Sequence, residues 1–196
     1  CVTLKGAREG DLVYLLGGRS QHLGASLYAR VVLNLDGPAA GAPPPAELEA
    51  TRRNSAFLRE AIRAGWVTAA HDVSDGGPLC ALAELALASE RGLVTASDQL
   101  RRAGSHAGMF GEDQARFVFT AHPDAARDIE ARAAAAGCEI DRIGAVGGEA
   151  LVVKDDVHPG SGHRDDLLAV PLARLREVHE GFLPRFMKGE SPSRDA

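Results

Sequence analysis

A chain of 196 residues with 45% hydrophobic and 25% charged side chains has a globular balance and enough apolar material for one domain core. The formal net charge is −5 and there is no basic block, which excludes a nucleic-acid surface built on clustered Lys and Arg. The three cysteines, Cys1, Cys80 and Cys138, form no CxxC pair and no even set, so they point to neither zinc nor a disulfide framework and fit a reducing, cytoplasmic setting.

No apolar run approaches the roughly 18 residues of a membrane helix, and no signal peptide is visible. The chain runs from Cys1 almost at once into a strand-like segment, as a piece cut from a longer polypeptide would. Residues 10–18, GDLVYLLGG, read as a buried strand between glycines. Residues 26–35, SLYARVVLNL, read as a short helix, and the Pro/Gly/Ala stretch 37–47 as a loop without regular structure. Residues 46–65 place Leu48, Ala56, Phe57 and Ile62 among charges at helical spacing, with Gly65 as the stop.

Residues 66–74, WVTAAHDVS, are β-branched and apolar, hence a strand. Residues 78–92 follow as a helix with Leu79, Leu82, Leu85 and Ala86 on one face and Gly92 as its stop. Strands are expected at 93–97 and 116–122, then a helix over 123–137 that starts at Pro123 and ends at Gly137. Residues 139–147 and 150–154 read as two strands paired in a hairpin through 147–149, and 171–187 as a terminal helix. There is no internal repeat. This pattern predicts α+β: a mixed β-sheet with helices packed on it, one domain over 1–187 and a disordered tail over 188–196.

Chemistry concentrates in AAHDVSDGGPLCALAELALA, residues 69–88. Between a strand and a helix, SDGG is a turn. Gly76 and Gly77 open backbone conformations closed to other residues, helix N-terminal amides attract anions, and Pro78 suits the first helical turn. Asp72 and Asp75, three apart, offer paired carboxylates of the kind that Mg²⁺-nucleotide binding uses. The bland alternative is that Ser74 or Asp75 caps the helix and the glycines only turn the chain. His71 reads as a base, a hydrogen-bond donor or neither, and Glu84, in an apolar helix, as a solvent-edge or partnered carboxylate.

In MFGEDQARFVFT (109–120), Glu112, Gln114 and Arg116 alternate, so an extended segment puts them on one face, where a Glu–Arg pair is also explained as a solvated strand edge. The third stretch, LGGRSQHLGAS (16–26), lacks both phosphate-loop spacings and reads as a plain loop. No HxxxH, HExxH or GxSxG spacing occurs.

HDVSDGG followed by ALAELA, FGEDQAR and IGAVGG, in that order, resembles the C-terminal (second B) domain of the phosphoribosylformylglycinamidine synthase synthetase subunit, in the aminoimidazole ribonucleotide synthetase-related family. GDLVYLLGG…HLGASLY and EVHEGFLPRFM are similar to it as well. The resemblance implies an ATP-dependent C–N ligase of purine biosynthesis, using ATP, Mg²⁺ and glutamine-derived ammonia. It also implies partners: the N-terminal domains of the same enzyme, a glutaminase subunit and a small bridging subunit.

Carried over, Asp72 resembles a Mg²⁺ ligand, and Ser74, Asp75, Gly76, Gly77, Glu112 and Arg116 resemble nucleotide- or phosphate-binding positions. Pro78 stands where the family has Leu, and it biases Gly77 toward extended backbone. Ala25 stands where Gly is common. Two other readings stay open: a pseudo-symmetric scaffold with a vestigial or auxiliary nucleotide site, and a related ATP-dependent enzyme such as selenophosphate synthetase.

Overall fold

The computed structural model describes residues 2–18, 20, 22–96, 100, 106–154 and 166–189. Seven strands form one mixed sheet: β1 (Leu12–Leu16), β2 (Val67–Asp72), β3 (Leu93–Ala96), β4 (Phe117–Ala121), β5 (Ile140–Val146), β6 (Ala150–Lys154) and β7 (Asp166–Pro171). Their order is β2-β4-β1-β5-β3-β6-β7, antiparallel throughout except for the parallel β3–β6 pair. Helices α1 (Leu48–Arg63), α2 (Gly77–Ser89), α3 (Ala126–Ala135) and α4 (Leu172–Met187) accompany it.

Alternation along the strands divides the core in two. Val13 and Leu15 of β1, with Val118 of β4, pack under Leu79, Leu82, Leu85 and Ala86 of α2. Tyr14 and Leu16, with Phe119, pack instead against Phe57, Leu58 and Ala61 of α1 and Ile129 and Ala133 of α3. Because the sheet is covered on both faces, β1 reads as an unbroken apolar run rather than as an alternating one.

The expected mixed sheet and helices are all present, with local corrections. Leu48 begins α1 but is 77% exposed, and the helix buries Asn54, Phe57, Leu58 and Ala61 instead. Gly65, at φ +78°, follows the end of α1 as expected. The segment after Ser26 forms a π-helical turn, Tyr28–Val32, and Gly37–Ala40 form a 3₁₀ turn inside the expected loop. Helix α2 stops before Gly92, because Glu90 itself takes the left-handed conformation at φ +56°. Strand β7 precedes α4 where only a helix was expected. Ser97 and residues 190–196 of the expected tail lie outside the described residues.

The largest correction concerns the expected hairpin. Strands β5 and β6 do not pair, because β3 lies between them. The backbone shows how: Gly92, just before β3, donates to Gly148 O at 2.8 Å and accepts from Gly147 N–H at 2.8 Å. The glycine turn therefore closes around the start of β3, not around its own two strands. Gly144 of β5 allows the approach, since a Cβ there would lie 2.1 Å from Val94 O.

Candidate functional site

Strand β2 ends at Asp72, and the next N–H, from Val73, donates to Arg116 O at 2.9 Å. This bond ties the start of the SDGG turn to the segment entering β4. Gly76 and Gly77 then take φ values of +80° and +73°, so Gly77 is not extended despite Pro78. A methyl group at Gly76 would fall 2.4 Å from Cys80 Sγ, and one at Gly77 2.6 Å from the Phe110 carbonyl carbon. Space and dihedral both demand glycine here.

Neither Ser74 nor Asp75 caps α2 through its side chain, which removes the expected side-chain cap, whereas the glycines do turn the chain. Glu112 reaches over instead. Its Oε1 accepts from Gly76 N–H at 2.8 Å and from Leu27 N–H at 2.8 Å. One carboxylate oxygen thereby binds the amide at the N-terminus of α2, where the helix dipole favours negative charge, and holds the π-helical segment beside it.

Five of the seven predicted site residues, Asp72, Ser74, Asp75, Glu112 and Arg116, line one cleft of about 350 Å³. Gly76 and Gly77 are buried and shape the turn without lining it. Gln114 shares the cleft with Glu112 and Arg116, as their alternation predicts, yet residues 111–116 are no regular strand and Ala115 sits at φ +64°. Glu112 bonds backbone amides and forms no ion pair with Arg116.

Arg116 is 3% exposed. Its Nη1 donates to Gly111 O at 3.3 Å, and among the described residues Nε and Nη2 have no hydrogen-bond partner. Burial pulls its pKa down to about 10, against the opposing pull of Asp113. Asp113 itself accepts a hydrogen bond from Ser20 Oγ. A half-satisfied buried guanidinium is costly and calls for an anionic partner. Arg116 also borders a second hollow of about 280 Å³ with Arg53, Asn54 and Glu139.

Behind the cleft, His71 is held at both ring nitrogens. Nε2 lies 2.6 Å from Glu84 Oε2 and Nδ1 lies 3.2 Å from Asp72 Oδ1. Glu84 is both of the alternatives at once, on the solvent edge at 48% side-chain exposure and partnered by His71. Burial, followed by the charges of Glu84 and Glu112, pushes the Cys80 thiol up.

The residues present fit a magnesium-bound phosphate. Among the described residues no three His, Cys, Asp or Glu side chains form a metal cage. Asp72 and Asp75 both line the cleft, and Mg²⁺ is commonly held by one or two carboxylates together with waters and phosphate oxygens.

Several lining residues escaped the sequence reading. Gly24 and Ala25 belong to the stretch taken as a plain loop, Pro43 and Pro44 to the Pro/Gly/Ala stretch, and Thr51 to α1. Ala25 carried a signal: it stands where the resemblance expects glycine, and it occupies φ +55°.

The family model described as AIR synthase related protein, C-terminal domain, matches residues 8–156. The phosphoribosylformylglycinamidine synthase subunit PurL of Allorhizobium ampelinum is 44% identical over 187 residues, covering 95% of this chain and 23% of that protein. The same-named subunit of Brucella ovis is 42% identical over 94% of the chain and 23% of its own length. The chain thus spans about a quarter of these relatives. Among solved structures, Thermotoga maritima PurL complexed with FGAR superposes with a TM-score of 0.70 at 22% identity, covering 89% of this chain and 29% of that one. Its ATP complex gives 0.64 at 22% identity, with 89% and 27% covered. These structures share the fold.

Proposed function

Since the chain belongs to the family of AIR synthase related protein C-terminal domains, we propose that it is the C-terminal domain of a phosphoribosylformylglycinamidine synthase synthetase subunit, one half of a composite nucleotide site. The whole enzyme in this reading is a cytoplasmic ATP-dependent C–N ligase. ATP phosphorylates the amide oxygen of formylglycinamide ribonucleotide, releasing ADP, and ammonia from glutamine displaces that oxygen as phosphate to form the amidine. The N-terminal domains of the same subunit, a glutaminase subunit and a small bridging subunit complete the assembly.

The observation that carries the reading is the gathering of Asp72, Ser74, Asp75, Glu112 and Arg116 round one cleft, in a chain 44% identical over 95% of its length to a subunit of that name. Asp72 is the magnesium-facing carboxylate, with Asp75 beside it in the cleft. Ser74 lines the phosphate side, Gly76 and Gly77 shape the turn behind it, and Nε and Nη2 of Arg116, without a hydrogen-bond partner among the described residues, await the anion. The reading expects the isolated chain to bind Mg²⁺-ATP weakly or not at all, and tight stoichiometric binding by calorimetry would contradict it.

One observation favours a second reading, a scaffold whose nucleotide site is auxiliary: Glu112 already holds the Gly76 amide that a phosphate would use. Asp72→Asn in the full-length enzyme separates the two. A working ligand loses turnover, whereas a scaffold keeps turnover and changes only in stability.

A further inference from the structure

We propose that His71 and Glu84 are positioning residues that aim the Asp72 carboxylate into the cleft for a divalent cation. This rests on the reading of Asp72 as a cation ligand. Successive side chains of a strand point to opposite faces, so a bond between neighbours is unusual. Here it forms because Asp72 is the last residue of β2 and the chain turns directly after it.

The chain of contacts runs Glu84 Oε2 to His71 Nε2 at 2.6 Å, then His71 Nδ1 to Asp72 Oδ1 at 3.2 Å. Only Asp72 of the three lines the cleft. Its side chain is 64% exposed, whereas that of His71 is 18% exposed. A carboxylate that open to solvent samples several rotamers unless something fixes it. The imidazole engages Oδ1 and leaves Oδ2 for a ligand.

The origin of Glu84 supports this role. It is the only charged residue of α2, whose neighbouring Leu82, Leu85 and Ala86 are fully buried. The Glu84 side chain is itself 48% exposed, so the packed helix fixes only its backbone, and the 2.6 Å contact with Nε2 joins its carboxylate to the imidazole. Hydrogen-bonded partners behind a metal ligand commonly contribute 10–100-fold in affinity.

The test uses the 196-residue chain with Mn²⁺ as the probe. Paramagnetic broadening of the amide signals of residues 73–77 is followed by NMR, with the melting temperature of each variant measured alongside. The wild type should broaden saturably, and Asp72→Asn should abolish the effect. Glu84→Ala and His71→Ala should weaken apparent Mn²⁺ affinity about tenfold or more well below their melting temperatures. Glu84→Gln, which keeps an acceptor for the ring, should fall between. If Asp72→Asn abolishes binding but the other variants keep wild-type affinity and lose only thermal stability, the trio is a structural staple. The proposal then falls while the reading of Asp72 stands. If the wild type shows no saturable broadening, Asp72 holds no cation in this chain and the proposal falls, while the composite-site reading, which expects little binding by the chain alone, stands. Should Glu84→Ala fail to fold, Glu84→Gln decides alone, and unchanged affinity overturns the proposal.

Discussion

The Tyr14 phenol has no exposed surface, stacks on Phe119 with ring centroids 5.2 Å apart, and donates to Glu130 Oε1 at 3.2 Å. Burial first, and then the nearby carboxylate, push its pKa up to about 12. Between pH 10 and 12 the folded chain keeps a proton that the unfolded chain releases. The associated stability is complete below pH 10 and disappears as pH rises toward 12. Phenolate absorbance should therefore show one of the two tyrosines titrating near 12, and Tyr14→Phe should flatten the loss of stability across that window. Arg116 has the opposite sign, since its lowered pKa relieves a burial cost above pH 10, so the comparison must be made against the wild type. At this scale much was legible: HDVSDGG and FGEDQAR named Asp72, Ser74, Asp75, Glu112 and Arg116 of the cleft, but not Thr51. The contact of Glu84 with His71 was not legible, because it joins the end of a strand to the third turn of a helix.

Strand β3 is the element whose place the chain order conceals. It is four residues long and inserts between β5 and β6 through an antiparallel and a parallel pairing. Its slot depends on Gly144, where any side chain would strike Val94 O. Gly144→Val should destabilise the fold by at least about 2 kcal/mol, the scale of an overpacked core position. Amide exchange should accelerate first in β3, β6 and β7, and uniform protection of those strands would refute the account. The helices were legible because α1 and α3 alternate apolar and charged faces and α2 is almost wholly apolar. Residues 139–154 read as a hairpin because two short apolar runs around Gly-Gly are the usual hairpin signal. Only backbone bonds to Gly92, more than fifty positions earlier, reveal otherwise.

Across the whole molecule, helices cover both faces of the sheet while α4 leaves part of itself uncovered. Leu172 and Leu175 reach the core, but Phe182, Leu183, Phe186 and Met187 are 52%, 62%, 61% and 78% exposed. Such a stripe binds hydrophobic dyes. The Phe182→Ser/Phe186→Ser double variant should lower 1-anilinonaphthalene-8-sulfonate fluorescence with little change in melting temperature, since neither ring supports the core. The sequence by itself determined the class of fold, most helices and strands, and the residue types at the site, because periodicity and turn chemistry are local properties. Only the tertiary structure decided the strand order, the burial of Arg116 and the tie from Glu112 to two distant amides. It also drew Ala25, Pro43 and Thr51 to the same cleft as Asp72. Those outcomes depend on which distant surfaces bury one another, and no local window of sequence contains that information.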